Sequence, residues 1–234
     1  QQGKPASTFY TVANNNDFNN NLVGNVNFKH SFDSLGQELT ADFDYGSYWS
    51  GSNAQTGTKY FKNDGTTLAP DYVLDGVQRG SLKLQSFKTD YVRPFKKQSK
   101  LEAGFKWSKV KTDNDAKFFD VSNGTRIVDA SKTNQFLYEE ENFATYVNYA
   151  KQWKQWNVQL GLRAERTSLY TYQAIGNVAF DSSYLQLFPS AFVNRQIGKQ
   201  KTIGFSISRR IDRPSYNQLN PFLFLIDVTT YATG

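Results

Sequence analysis

Apolar and polar residues alternate with a period of two along several stretches of this chain. The clearest stretch runs from Trp156 to Ala164, where every second residue is apolar and the intervening residues are Asn157, Gln159, Gly161 and Arg163. The same alternation occurs in residues 39–45 and 101–107. Because successive side chains of a β-strand point to opposite faces, the pattern predicts strands with one apolar and one wet face.

Five further stretches continue the pattern, at residues 22–32, 81–93, 142–151, 184–195 and 201–210. The chain is therefore expected to contain about eight strands of roughly ten residues, the length that a tilted strand needs to cross a bilayer. Strands of soluble proteins are about half as long. The sequence thus predicts an all-β fold, an antiparallel transmembrane β-barrel.

The predicted connections alternate between short and long. Short polar turns are expected at residues 33–37, 96–99, 152–155 and 196–200, and long loops at residues 49–79, 112–139 and 173–183. Short turns on one rim and long loops on the other are typical of outer-membrane barrels, in which the turns are periplasmic and the loops extracellular.

Composition supports the same class. Aromatic residues make up 16% of the chain, with 19 Phe and 14 Tyr, which suits strands and the aromatic girdles of a membrane barrel. The chain has no run of about 18 apolar residues, and its mean hydropathy of -0.61 is too polar for helical membrane spans. A barrel tolerates this polarity because only every second residue of its strands faces lipid.

Few residues are suited to catalysis or metal binding. The sequence contains no Cys and a single His, His30, which argues against a disulfide scaffold, a thiol nucleophile, a zinc site and a catalytic triad. We therefore expect a protein that is not an enzyme and that has no catalytic residues, cofactor or metal. The net charge of +6 is scattered along the chain, so nucleic acid is not an expected partner.

Three segments in the last third carry motifs at family level: LGLRAERT at 160–167, YLQLFPSAFV at 184–193 and SRRIDRPSYNQLNPF at 208–222. In order and spacing they resemble the outer-membrane β-barrel region of TonB-dependent receptors of the Bacteroidetes type. The earlier segments HSFDSLGQELTADFDYGSY, TDYVRPFKKQSKLEAGFKWS and EEENFATYVNYAKQW fit the same pattern. The resemblance covers most of residues 22–226.

The resemblance implies a transporter that takes up a bulky nutrient, such as a siderophore, cobalamin, a glycan or a peptide. Such transporters form a barrel of about 22 strands around a plug domain. We expect residues 1–234 to be part of one such barrel domain, a fragment cut at both ends, with no plug domain and no TonB box. The implied partners are outer-membrane lipid, the rest of the barrel and the plug, TonB and, as a further candidate, a surface lipoprotein.

Six charged residues are candidates for the rim or the lumen of the barrel. Arg163 and Glu165 lie two positions apart, so they share one face of a strand, and they match the family's GLR-x-E element. The other candidates are Arg209, Arg210, Asp212 and Arg213, which precede Pro214 at a strand end. Arginine clusters bind acidic or phosphate groups, but for residues 209–213 pairing with neighbouring barrel carboxylates is the stronger interpretation. For Arg163 and Glu165 a structural role, bracing the plug or adjacent strands, is a stronger interpretation than substrate chemistry.

Two other functional classes stay open on the sequence alone. One is a structural, adhesin or secretion-associated outer-membrane barrel without TonB coupling, which has the same kind of wall. The other is a soluble ligand-binding β-domain, because a period of two does not distinguish lipid from a protein interior.

Overall fold

A computed structural model of the protein describes residues 7–198, 200–212, 223–225 and 231–233. The strands are β1 (Ser7–Ser31), β2 (Glu38–Lys62), β3 (Thr67–Phe95), β4 (Ser99–Asp120), β5 (Ile127–Val128), β6 (Asn134–Trp153), β7 (Trp156–Gln173), β8 (Val178–Ile197), β9 (Lys201–Ser208), β10 (Leu223–Leu225) and β11 (Tyr231–Thr233). A short 3-10 turn at Ile175–Asn177 precedes β8.

Eight main strands form a single antiparallel sheet in the order β1-β2-β3-β4-β6-β7-β8-β9. The short strand β5 pairs with β4, and β10 and β11 form a separate pair. Strands that follow one another along the chain are neighbours in this sheet, as in an up-and-down meander. The antiparallel all-β fold predicted from the sequence is confirmed.

The short turns lie where the alternation predicted them. Residues 32–37, 96–98 and 154–155, with residues 198 and 200 of the last connection, lie between the strands at one end of the sheet, which we call the turn end. In the first of these turns, the Asp33 carboxylate accepts hydrogen bonds of 2.9 Å from the backbone N–H groups of Leu35 and Gln37. Such Asx turns explain why Asp opens a tight connection.

The long loops predicted for residues 49–79, 112–139 and 173–183 are wrong for the most part. Only residues 63–66, 121–133 and 174–177 connect strands at this opposite end of the sheet, which we call the loop end. The strands continue as paired hairpins far beyond the alternating stretches, and β2 stays in register with β3 as far as Thr58 opposite Tyr72. The predicted strand length of roughly ten residues is therefore too short, since β1 to β4 have 22 to 29 residues.

The register joins the separate alternating stretches into one apolar face. Residues that stand opposite one another in neighbouring strands share a face. One row is apolar all the way from β2 to β8 and consists of Leu39, Tyr91, Ala103, Val147, Leu162 and Pro189; on β1 it ends at His30. The same face carries large exposed side chains such as Leu160, Leu187 and Phe205.

Burial is found on the other, polar face. In the described part of the chain, every buried side chain except Ser47 lies on it, namely Thr58, Leu74, Ala116, Asn134, Phe136, Tyr138, Ala144, Glu165 and Thr167. Since the described residues pack no second layer on the sheet, curvature is what brings the side chains of one face together. The polar face is therefore the inner face of a curved sheet, and the apolar face is the outer one.

No helix in the described part of the chain is long and apolar enough to cross a membrane.

Candidate functional site

A network of charged and polar side chains covers the inner face of β6 and β7. Arg163 Nη2 lies 2.8 Å from Glu165 Oε2, and Asn142 donates to Glu165 Oε1 at 2.8 Å and to Thr167 Oγ1 at 3.1 Å. The Glu165 side chain is only 6% exposed, whereas that of Arg163 is 49% exposed. The buried carboxylate therefore fixes a guanidinium that still reaches open space.

The chain beyond β9 brings two more guanidinium groups to the same region. The Arg209 N–H donates to the Pro189 carbonyl at 3.2 Å, which extends the pairing with β8 past the last residue of the strand. Arg209 Nη1 also donates to the Leu187 carbonyl at 3.3 Å, and its guanidinium lies 6.0 Å from the Phe188 ring centroid. Arg210, the next residue, is exposed.

An open cavity of about 610 Å³ lies between this segment and the inner face. Its wall includes Tyr146, Arg163 and Phe188, which stand in one register row across β6, β7 and β8. Arg209 and Arg210 line its other side. Three arginines and one carboxylate, that of Glu165, thus surround the cavity, so its charge favours anionic groups.

The structure thus brings together four of the six charged residues singled out from the sequence, namely Arg163, Glu165, Arg209 and Arg210. Asp212 is exposed and does not line the cavity, and Arg213 lies outside the described residues. The strand predicted for residues 201–210 ends at Ser208, and beyond it only the Arg209 N–H continues the pairing with β8.

Sequence reasoning missed a contact that spans three strands of the inner face. The Tyr146 hydroxyl on β6 donates to Asp90 Oδ1 on β3 at 2.5 Å and crosses over Gly104 of β4. Asp90, Gly104 and Tyr146 are direct register partners. Tyr146 has the same parity in β6 as Ala144 and Asn148, which places it on the inner face. This parity is the signal in the sequence that could have predicted the contact.

The outer face changes from apolar to charged within a few residues. Phe43, Phe87, Trp107 and Phe143 form a row across β2, β3, β4 and β6, which we call the aromatic row. The outer face next to this row, mainly on its loop-end side, carries the charged rim, defined as Lys83, Lys109, Lys111, Glu139, Glu141 and Arg166.

The charged rim is internally bonded. The Glu139 carboxylate forms ion pairs with Lys109 Nζ at 2.5 Å and with Lys111 Nζ at 2.6 Å. Trp107 Nε1 donates a hydrogen bond to Glu141 Oε1 at 2.9 Å. On the turn-end side of this rim the apolar stretch from Trp156 to Ala164 is about 26 Å long at about 3.3 Å per residue, or about 20 Å along the membrane normal at a tilt of about 40°. This covers most of the apolar band of membrane barrels, which is about 25 Å tall.

An Asx-type turn at Asp129 holds the loop of residues 121–133 at the loop end. The Asp129 carboxylate accepts hydrogen bonds from the Ser131 N–H at 3.0 Å and hydroxyl at 2.5 Å, and it pairs with Lys132. Burial alone would raise the pKa of Asp129, but the hydrogen bonds from Lys132 and Ser131 outweigh it. The pKa therefore lies below its ordinary value of 3.8.

Comparison with known structures gives a distant likeness. The chain is 12% identical to the chain in "Crystal structure of ferric citrate transporter FecA in the unliganded form", with a TM-score of 0.43. The match covers 72% of this chain and 27% of that one. No curated protein sequence matches the chain.

The comparison with family models is decisive for the class. The family described as "Outer membrane protein beta-barrel family" matches residues 30–234. This range contains the aromatic row, the charged rim and the cavity. The apolar outer face and polar inner face are the arrangement that such a barrel requires. The chain belongs to the outer membrane protein beta-barrel family, and it is a protein of the cell outer membrane.

Proposed function

We propose that this chain forms part of the wall of a TonB-dependent transporter that takes up a bulky nutrient. The observation that carries the proposal is the arginine-lined cavity on the inner face. Arg163 lies between Leu162 and Ala164, so the cavity is level with the apolar band of the outer face. A polar, open and positively charged wall at this depth serves a solute that crosses the membrane inside the barrel.

The edges of the sheet favour a wide barrel. In the described part of the chain, β1 pairs with β2 alone and β9 with β8 alone. Open strand edges are not viable in lipid, so closure requires further strands beside the eight main ones. Barrels with many more than eight strands enclose a channel or a plugged lumen rather than a core filled by side chains.

The coupling to TonB rests on the sequence resemblance. The motifs at 160–167, 184–193 and 208–222 resemble those of the receptor family, and one of them contains Arg163 and Glu165. On this proposal, the plug is formed by the rest of the protein, and energy comes from TonB in the inner membrane. A surface lipoprotein would cover the loop end.

Growth of a deletion strain of the host tests the proposal. The strain is supplied with a ferric siderophore, cobalamin, an oligosaccharide or a peptide as the limiting source of iron, cofactor or carbon. We expect a growth defect on one of these nutrients, which the full-length gene restores. We also expect the restored uptake to stop when TonB is deleted or a protonophore is added.

Two outcomes would count against the proposal. Uptake that continues without TonB would make the protein a passive pore, and normal growth on all four nutrients would favour a structural or adhesive barrel. A variant of the full-length protein with Arg163→Gln and Arg210→Gln then tests the cavity. It should reduce uptake at limiting nutrient while the amount of folded protein in the membrane is unchanged.

A further inference from the structure

The charged rim lies at a height where the outer face leaves the hydrocarbon of the bilayer. The aromatic row marks this boundary because aromatic side chains concentrate at membrane interfaces. Arg166 stands directly opposite Phe143 of the aromatic row, and Lys109 follows Trp107 by two residues on the same face of β4. Side chains at these positions meet lipid head groups.

The charge of the rim is predominantly positive. It contains four basic side chains, from Lys83, Lys109, Lys111 and Arg166, and two acidic ones, from Glu139 and Glu141. A third carboxylate, that of Asp181 on β8, stands at the far end of the register row that contains Lys83 and Lys111. Lys109 and Lys111 share the single carboxylate of Glu139, and Glu141 is engaged by Trp107. In the part of the chain that the structure describes, Lys83 and Arg166 have no carboxylate partner.

The basic side chains are also accessible. Lys83 and Arg166 are exposed, and the Lys111 side chain is 53% exposed. Lys83 and Lys111 stand directly opposite each other in β3 and β4, so their side chains leave the sheet at adjacent backbone positions. Two or more cations above an apolar, aromatic surface are suited to a lipid whose phosphates lie above acyl chains.

We propose that the charged rim binds the phosphate groups of a phosphorylated lipid in the outer leaflet, whose acyl chains lie against the aromatic row. The turns are then on the periplasmic side and the loop end on the cell surface, as in barrels of this class. The inference does not depend on transport. A protein that transports nothing would still have this lipid site.

The experiment uses the full-length protein in a nonionic detergent, titrated with lipid A and followed by native mass spectrometry. The test variant carries Lys83→Gln, Lys111→Gln and Arg166→Gln, and it leaves Lys109 to neutralise Glu139. A control variant loses the same number of charges elsewhere, through Lys97→Gln in a turn, Lys106→Gln on the inner face and Lys151→Gln near the turn end. Circular dichroism shows whether both variants are folded.

Each basic residue near an anionic lipid surface contributes about fivefold to binding, so we expect the test variant to bind lipid A about 100-fold more weakly. The control variant should bind like the wild type, and lipid A without phosphates should bind the wild type poorly. Equal weakening in both variants, or equal binding of dephosphorylated lipid A, would overturn the proposal. So would displacement of lipid A by millimolar inorganic phosphate, which would make this a site for the free ion.

Discussion

On the inner face, contacts between single residues fix the positions of the strands, as core packing does in soluble proteins. Tyr146 reaches Asp90 only because Gly104, the residue between them, has no side chain. An added Cβ at Gly104 would overlap the Tyr146 ring and lie 2.6 Å from Asp90 Oδ1. The contact joins β3, β4 and β6 and fixes their register from the lumen side.

The substitution Gly104→Ala should therefore destabilise the protein by about 1–3 kcal/mol, the usual cost of overpacking. Gly57→Ala is the matched control, because nothing lies within 4 Å of the added Cβ. Urea unfolding of the full-length protein in detergent measures both effects. In a Tyr146→Ala background the cost of Gly104→Ala should become smaller. Equal costs for the two glycines in the wild type would contradict this account of the contact.

At the scale of the strand, the two faces of β7 meet different solvents. Leu160 and Leu162 are on the outer face and are 50% and 46% exposed, whereas Gln159 belongs to the inner face. The sequence has no Cys, so a label attached to an introduced cysteine reacts with no native thiol of this chain. Spin labels attached to them report the local solvent by electron paramagnetic resonance.

We expect labels at Leu160→Cys and Leu162→Cys to collide mainly with oxygen, which dissolves in lipid. A label at Gln159→Cys should collide mainly with a water-soluble nickel complex. The measurement is made in proteoliposomes by power saturation. If the ratio of the two accessibilities does not alternate along β7, the division into lipid and lumen faces is wrong.

Most of the strand order followed from the sequence, because the alternating stretches lie inside the membrane band and the short turns that join them lie close to it. The extensions toward the loop end did not, since residues such as Asn53, Gln55 and Thr56 are polar or small on both faces. Backbone pairing with a neighbouring strand keeps them extended, and a single sequence carries no signal for that. The cavity was missed for a related reason, because the approach of Arg209 and Arg210 to Arg163 depends on the register of three strands.

The loop of residues 121–133 should lose order at low pH. The pKa of Asp129 is lowered in the folded loop. Its ionised form therefore stabilises the loop at pH values above 3.8, the ordinary pKa of this carboxyl. That contribution is lost as the pH falls through the lowered pKa. Hydrogen exchange of the Ser131 amide, corrected for the intrinsic rate, should therefore accelerate below about pH 4. In Asp129→Asn the exchange should show little dependence on pH, and a dependence like that of the wild type would assign the effect to another group.

At the scale of the whole molecule, the sheet is much taller than a bilayer. β2 has 25 residues, which corresponds to about 80 Å of strand, or about 60 Å along the membrane normal at a tilt of about 40°. The turn end lies close to the apolar band, so the excess length projects at the loop end. In the proposed orientation, with the loop end outside the cell, the paired strands form a wall that rises above the charged rim on the cell surface.

This orientation can be tested in intact cells that express the full-length protein. A cysteine at Asn63, in the connection between β2 and β3, should react with a maleimide that does not cross the outer membrane. A cysteine at Lys97 or Lys154, in the short turns, should react only after the outer membrane is permeabilised. The reverse labelling pattern would show that the barrel has the opposite orientation in the membrane, with the charged rim at the inner leaflet.

The inverted arrangement of polar and apolar faces also determines which substitutions the protein can tolerate. Leu160 and Leu162 pack against lipid, a fluid that adapts to side chains of any shape, so selection at such positions acts on polarity and hardly on size. Glu165 and Gly104 are surrounded by fixed neighbours, so selection there acts on shape and charge together. Among members of this family, the polar residues of the inner face should therefore be conserved in identity. The apolar residues of the outer face should vary freely among apolar types.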